Sequence, residues 1–119
     1  MISLGTTLRS NIPPRHIWVV LSDPQRTFGT ILVVNMTTLA ENCVDDLCAI
    51  GPEDYSLLDH ATTIAYSRHR AGPAAGLEAA VQRGDFSIIT PVPQATLRRI
   101  LAGASNSLQI PTAKKYLLG

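Results

Sequence analysis

The chain has 119 residues, of which 45% are apolar and 16% charged, and its formal net charge at pH 7 is +1. This apolar content supplies one hydrophobic core and predicts a single domain over residues 1–119. High apolar content with low net charge excludes an intrinsically disordered chain. The near-neutral balance also means that any binding of nucleic acid has to come from a local basic patch.

Two cysteines, Cys43 and Cys48, are too few for the disulfide framework of a small secreted domain. Residues 1–11 lack the apolar segment of a signal peptide. The longest apolar runs, residues 17–21 and 31–34, are far shorter than the roughly 20 residues of a membrane-spanning helix. The sequence therefore predicts a soluble cytoplasmic protein that makes no membrane contact.

Short β-strands dominate the first two thirds of the chain. Two runs, His16–Leu21 and Thr30–Met36, are continuously apolar between turn residues, which is typical of core strands covered on both faces. Asp23-Pro24 and Gly29 lie between them and predict a hairpin. Clusters of β-branched and aromatic residues predict further strands at Thr6–Arg9, Cys43–Ile50 and Thr62–Ser67, and a short extended piece at Phe86–Ile89.

Two helices are predicted in the last third. Pro73 at a first-turn position and Gly84 at a capping position bracket a short helix over residues 73–83. Pro93 opens a second helix over residues 93–105, whose apolar side chains recur at i, i+3, i+4 and i+7 and so form one stripe that faces the core. That stripe consists of Leu97, Ile100, Leu101 and Ala104, with Arg98 and Arg99 facing away. The tail, residues 106–119, either stays loose or docks through Tyr116, Leu117 and Leu118.

This order of elements predicts a mainly β fold with minor α content. Strands and helices do not alternate regularly, which argues against a doubly wound parallel sheet. A sheet of about five short antiparallel strands protects its edges by curling or by being covered. We therefore expect a small SH3-like barrel or curled antiparallel sheet over about residues 5–70, closed by a short helix and a C-terminal helix.

The predicted hairpin brings Arg15 and Thr37 together. Arg15 enters the first core strand and Thr37 ends the second, so the two residues lie at the same rim of the sheet. A guanidinium beside a hydroxyl suits a phosphodiester, because arginine is always charged and offers a planar fork of donors to phosphate oxygens. The alternative is an ordinary solvated arginine beside ordinary strand threonines.

Residues 15–38 resemble the MazF/PemK family of bacterial toxins. The resemblance lies in Arg15 ahead of the apolar strand IWVVL, in Ser22-Asp23 at the end of that strand, and in a second apolar strand, ILVVNM, ending at Thr37. It implies an SH3-like barrel of the CcdB/PemK/MazF type with a C-terminal helix. It also implies endoribonuclease cleavage of single-stranded messenger RNA without metal or cofactor, a homodimer, and a cognate antitoxin as partner.

The resemblance assigns catalytic roles at the rim of the sheet. Arg15 matches the family's catalytic arginine and Thr37 its catalytic hydroxyl residue, with Thr38 as the neighbouring choice. The implied reaction is attack of a ribose 2′-hydroxyl on the adjacent phosphate, which needs a base, a proton donor and a charge stabiliser. His16 stands where the family has proline, and its imidazole is a candidate for the acid or base. The loop before Arg15 is also shorter than in the family.

Four further residues are candidate substrate contacts. Arg68 and Arg70 flank His69 in the densest basic cluster outside the helices, and Arg26 lies in the hairpin loop. Arginines at strand ends and loops supply affinity for phosphates that does not depend on base sequence. Ser22, at the end of the first core strand, is the fourth candidate. A solvated turn is the alternative for the basic cluster.

Other chemistries find little support in the sequence. A zinc site from Cys43, Cys48, His60 and His69 lacks the tight ligand spacing of structural zinc sites. Asp45-Asp46 is better explained as a solvated strand edge than as a magnesium site. No G-x-S-x-G, P-loop or dinucleotide fingerprint is present. The functional alternatives to a nuclease are an inactive barrel that binds protein or nucleic acid, and a CcdB-like inhibitor of a protein target.

Overall fold

The computed structural model describes residues 1–41 and 43–119, and an antiparallel six-stranded sheet is its central element. The strands in chain order are β1 (Thr7–Ser10), β2 (Ile17–Val20), β3 (Thr30–Thr38), β4 (Ala49–Ile50), β5 (Thr62–Pro73) and β6 (Phe86–Ile89). Two α-helices, α1 (Ala74–Gln82) and α2 (Gln94–Asn106), and a 3₁₀ helix (Thr112–Leu117) accompany the sheet.

The sheet is a curled half-barrel. Its strand order is β4-β5-β3-β2-β1-β6, and neighbouring strands all pair antiparallel. The long strands β3 and β5 lie next to each other near the middle of the sheet, and the short strands β4 and β6 form its edges. Short edge strands limit pairing with other chains. The predicted fold class, a small curled antiparallel sheet with two helices, is confirmed.

Both faces of the central strands are covered, which explains their unbroken apolar runs. One core cluster contains Val19, Leu32 and Val34 and packs against α2. The second contains Val20 and Ile31 on the opposite face and packs against α1. Since neighbouring residues of a strand point to opposite faces, each run has to be apolar throughout. In the part of the chain that the structure describes, no helix is long and apolar enough to cross a membrane.

The predicted β2–β3 hairpin forms. Trp18 pairs with Asn35 and Val20 with Val33, and the connecting turn contains Phe28 and Gly29, both with positive φ. Glycine adopts this left-handed conformation without a steric penalty, whereas Phe28 adopts it as a fully exposed turn residue. The chain end docks against this hairpin: Leu117 is buried and the Gly119 amide donates to Leu21 O at 2.9 Å.

The predicted strand Cys43–Ile50 is wrong for most of its length, since only Ala49–Ile50 pairs, as β4. In the segment before β4, hydrogen bonds with side chains of β5 take the place of strand pairing. The Thr63 hydroxyl donates to the backbone oxygen of Asp45, and the Asp45 carboxylate accepts from the Ser67 amide at 2.9 Å. Asp45 is therefore buried and is not the solvated edge residue expected from the sequence.

Strand β5 is longer than the predicted Thr62–Ser67 and continues through the basic cluster. Its pairing with β3 shifts between Ala65, which pairs with Asn35, and Arg70, which pairs with Val33. The residues 66–69 therefore lie opposite Val34 alone and form a bulge. A bulge of this kind redirects side chains while the strand continues on both sides.

Helix α2 carries the stripe predicted from its periodicity, with Leu97, Ile100 and Ala104 buried. Tyr66 reaches this helix from the β5 bulge, and its hydroxyl donates to Ile100 O at 2.7 Å. Burial raises the pKa of Tyr66, so the hydroxyl keeps its proton and remains a donor. The tyrosine ring thus joins the bulge to the helix.

Gly103→Ala is expected to lower the free energy of unfolding by about 1–3 kcal/mol, because an added methyl group overpacks this contact. A Cβ at Gly103 would lie 2.1 Å from the Tyr66 hydroxyl oxygen. The matched control is Gly76→Ala in α1, where the nearest atom is 3.8 Å away. The free energy of unfolding of Gly76→Ala should rise by about 0.5–1 kcal/mol, because alanine is the better helix former. Urea unfolding measures both, and equal stability of the two variants would contradict the expectation.

Candidate active site

The open end of the β2–β3 hairpin forms a shallow groove of about 200 Å³, which we call the rim groove. Its polar lining combines a guanidinium, two imidazoles and hydroxyls. These side chains belong to Arg15, His16, Thr37, Thr38 and His60. The structure therefore brings together all four residues predicted to be catalytic and adds His60, which lies in the loop before β5.

The hairpin register explains why Arg15 and the two threonines meet. Trp18 pairs with Asn35, and continuing this register toward the rim sets His16 opposite Thr37 and Arg15 opposite Thr38. Arg15 is exposed, and within residues 1–41 and 43–119 no acidic side chain pairs with it. Its donors are therefore open to an anion such as a phosphate.

His16 is held with a defined orientation at the start of β2. Its Nδ1 lies 3.1 Å from the backbone oxygen of Met36. A carbonyl oxygen only accepts, so Nδ1 carries a proton and Nε2 is the nitrogen left for chemistry. His16 also lines a second groove next to the rim groove, so its side chain lies at the boundary between these two grooves.

Thr38, His60 and Asp59 form a chain of hydrogen bonds along the rim groove. The Thr38 hydroxyl oxygen lies 3.2 Å from His60 Nε2, and His60 Nδ1 lies 2.5 Å from the Asp59 carboxylate. The hydrogen bond from His60 lowers the pKa of Asp59, which keeps the carboxylate charged. Sequence reasoning treated His60 as a loop residue. The adjacent Asp-His pair was the signal available, but nothing local placed it opposite Thr38.

A second and larger groove, of about 610 Å³, adjoins the first, and we call it the basic groove. Arg68 and Arg70 line it together with His16 and Trp18. Both arginines are exposed and, in the described part of the chain, neither forms an ion pair. Cations beside an aromatic ring are the combination found in proteins that hold single-stranded nucleic acid.

Asn35 lies in the lining of the basic groove with only 2% of its surface exposed. Among the described residues, no donor reaches its Oδ1. Leaving a buried acceptor unsatisfied costs about 1–3 kcal/mol, so such groups are uncommon in folded proteins. Sequence reasoning missed Asn35 as well, although it is the one polar residue within the apolar run ILVVNM.

The basic cluster lies within and directly after the β5 bulge and lines this groove. Asp45 holds the bulge by accepting hydrogen bonds from the Ser67 amide and hydroxyl. His69 Nδ1 donates to Tyr66 O at 2.7 Å from within the bulge. Arg68 and Arg70 are therefore presented by an ordered part of the sheet, where the sequence indicated a loop or strand end.

Ser22 and Arg26 lie at the other end of the hairpin, away from both grooves. Ser22 is fully buried, and its hydroxyl oxygen accepts a hydrogen bond from the Leu32 amide at 2.8 Å. The Arg26 guanidinium donates to the backbone oxygens of Tyr116, at 3.2 Å, and Leu118. Both residues make structural contacts, Ser22 within the hairpin and Arg26 to the chain end.

The four residues weighed as zinc ligands do not converge. In the described part of the chain, no three His, Cys, Asp or Glu side chains cluster closely enough to hold a metal ion. His60 is engaged with Thr38 and Asp59, whereas His69 contacts the β5 backbone. Cys43 and Cys48 are free, and burial raises the pKa of the Cys48 thiol, which disfavours a reactive thiolate.

Comparison with solved structures places this geometry among known folds. A MazE–MazF complex (form II) from Deinococcus radiodurans has a chain that superposes with a TM-score of 0.56 at 12% identity, covering 92% of this chain and 97% of that chain. An endoribonuclease in complex with its cognate antitoxin from Mycobacterial species superposes with a TM-score of 0.56 at 17% identity, covering 93% and 98%. No protein-family model matches the sequence, and no curated protein matches it either.

The protein therefore has a MazF-like fold. The likeness first read from residues 15–38 extends over more than nine tenths of the chain at the level of the fold. The curled antiparallel sheet, the hairpin and the helix α2 are all part of it, and the sheet is a half-barrel, not a closed barrel. What this chain does with the fold depends on the residues of its own grooves.

Proposed function

We propose that this protein is the toxin of a toxin–antitoxin pair and that it cleaves single-stranded messenger RNA in the rim groove. The observation that carries the proposal is Arg15, whose guanidinium has no ion-pair partner among the described residues and shares a groove with the hydroxyls of Thr37 and Thr38 and the imidazole of His16. These groups supply the charge stabiliser and the proton donor that transfer of a phosphodiester to a neighbouring 2′-hydroxyl requires. The MazF-like fold supports it, since one similar structure is an endoribonuclease.

Each group has a role in the proposed reaction. The 2′-hydroxyl gives its proton to a base while its oxygen attacks the adjacent phosphorus, and negative charge builds on the non-bridging oxygens. Arg15 binds those oxygens through its planar fork of donors, and Thr37 orients the phosphate by a hydrogen bond. His16, when protonated, gives its Nε2 proton to the departing 5′-oxygen. No step needs a metal ion or cofactor.

The basic groove is the proposed path of the RNA strand next to the scissile phosphate. Arg68 and Arg70 line it, with no acidic partner in the part of the chain that the structure describes, and Trp18 offers a flat apolar surface on which a base can stack. Because phosphate contacts are sequence-blind, sequence preference would come from contacts to the bases.

We also propose a homodimer, an antitoxin partner and a cytoplasmic site of action, where messenger RNA is translated. An apolar groove of about 290 Å³ under α1, lined by Trp18, Leu77 and Phe86, joins the basic groove. A protein segment with acidic and apolar side chains would fit both and would compete with RNA there. Light scattering of the purified protein alone tests the homodimer, and the same measurement with the product of a neighbouring reading frame tests the antitoxin. A protein that stays monomeric and does not bind that product would contradict both proposals.

Cleavage of a defined RNA by the purified protein tests the proposed function. We expect cuts at a recurrent short motif that persist with a chelator present and leave a 2′,3′-cyclic phosphate and a 5′-hydroxyl. The matched control is the same oligonucleotide with a single 2′-deoxy nucleotide at the mapped cut, which should stay intact because it lacks the attacking group. Intact RNA in both reactions would contradict the proposal. Intact RNA together with failure of DNA supercoiling on expression would instead support a CcdB-like inhibitor.

A further inference from the structure

His60 is oriented so that a lone pair faces the rim groove. Its Nδ1 lies 2.5 Å from the Asp59 carboxylate, which can only accept, so Nδ1 carries the proton. Nε2 of the neutral ring is then an acceptor, and the Thr38 hydroxyl donates to it over 3.2 Å. A carboxylate behind an imidazole, with a hydroxyl group in front of it, is the arrangement in which histidine acts as a general base.

The surroundings of His60 leave it open to a substrate. Its side chain is 52% exposed, so a ribose hydroxyl can reach Nε2 from the groove. The charged and titratable groups that face it are Asp59 from its own loop, and Arg15 and His16 from the segment that enters β2.

We infer that His60 is the general base of the RNA cleavage, with Asp59 as its positioning residue. The inference rests on the proposed function and supplies the group that Arg15, Thr37 and His16 leave unfilled. The 2′-hydroxyl takes the place of Thr38 on Nε2 and gives its proton to that nitrogen while the 2′-oxygen bonds to phosphorus. The bond from phosphorus to the 5′-oxygen breaks, and that oxygen takes the Nε2 proton of protonated His16. The released Thr38 hydroxyl donates to a non-bridging oxygen.

Cleavage rates across about pH 5–9 test this assignment. His60→Ala and His60→Gln should each lose about a hundredfold in kcat/KM and should lose the rise in rate with pH, because the base has to be neutral to act. Asp59→Asn should keep that rise but shift it to lower pH, since removing the negative charge makes protonated His60 less stable. The matched control is Asp46→Asn, an exposed acidic residue outside both grooves, which should behave as wild type.

The outcomes separate the two levels of the proposal. If the wild-type protein cleaves RNA and both His60 variants cleave it at the same rate, His60 is not the general base. The proposed nuclease activity is then still supported. A lower rate that still rises with pH as in wild type would also overturn the assignment of the base, because another group would then be the base. RNA left intact by the wild-type protein would overturn both. Thermal unfolding of each variant checks that all measured rates come from folded protein. His60→Gln is included because glutamine keeps a polar group beside Thr38.

Discussion

Arg15→Ala should lower kcat/KM for RNA cleavage about a thousandfold, because it removes the group that binds the negative charge formed on the phosphate. Arg15 is exposed and, within the described residues, makes no ion pair. Its loss should therefore change the free energy of unfolding by no more than about 0.5 kcal/mol. Cleavage kinetics and urea unfolding on the same samples separate the two effects. Expression of this variant should also leave cell growth and RNA intact.

Arg15→Lys makes the test specific for the guanidinium. Lysine keeps the charge but binds phosphate as a point charge, so about a tenth or less of the activity should remain. Arg98→Ala is the matched control, since Arg98 is an exposed arginine on α2 that lines neither groove. It should cleave as wild type does. Wild-type rates in Arg15→Ala would remove the central residue of the proposed site and favour a barrel that binds without cleaving.

Ile100→Ala should lower the free energy of unfolding by about 2–5 kcal/mol, which is a large part of the 5–15 kcal/mol of a typical domain. Ile100 is fully buried at the centre of the α2 stripe, in the core cluster that includes Val19, Leu32 and Tyr66. Truncation removes apolar contacts and leaves a cavity that the sheet and helix cannot fully close. Urea unfolding monitored by the fluorescence of Trp18, the single tryptophan, measures the change.

Leu108→Ala is the control for this substitution. It also shortens a branched aliphatic side chain, but Leu108 is 96% exposed just beyond α2. Its stability should stay within about 0.5 kcal/mol of wild type. If the two variants lost the same stability, the helix would not be anchored to the sheet through Ile100. The contrast thus checks both the packing of α2 and the periodicity from which that packing was predicted.

The sequence predicted the parts of the molecule that depend on neighbouring residues. Continuous apolar runs identified β2 and β3, and the turn between them correctly implied a hairpin. The proximity of Arg15 and Thr37 followed from that hairpin alone. The strand Cys43–Ile50 failed for the opposite reason, because Thr63 and Ser67, which are distant in the chain, satisfy the polar groups of Asp45.

The residues of the candidate site also separate into those predicted from neighbouring residues and those that depend on tertiary contacts. Arg15, His16, Thr37 and Thr38 were found from the sequence, whereas His60 was not, because only the pairing of β3 with β5 brings the loop before β5 to Thr38. The unsatisfied Asn35 was equally invisible, since burial of one polar atom depends on everything packed around it. Ser22 and Arg26, also proposed as substrate contacts, lie at the far end of the hairpin and hold structure together there.

The sequence by itself determined a small, nearly neutral, mainly β chain with two core strands, two helices and an arginine beside threonines at one rim. These features rest on composition, on side-chain periodicity and on a turn, which act over a few residues. The tertiary structure decided that the neutral chain carries a basic groove, because the folded sheet places Arg68 and Arg70 of β5 in one lining with Trp18 of β2. It also decided which histidine meets a hydroxyl, since only the folded sheet brings Thr38 and His60 together.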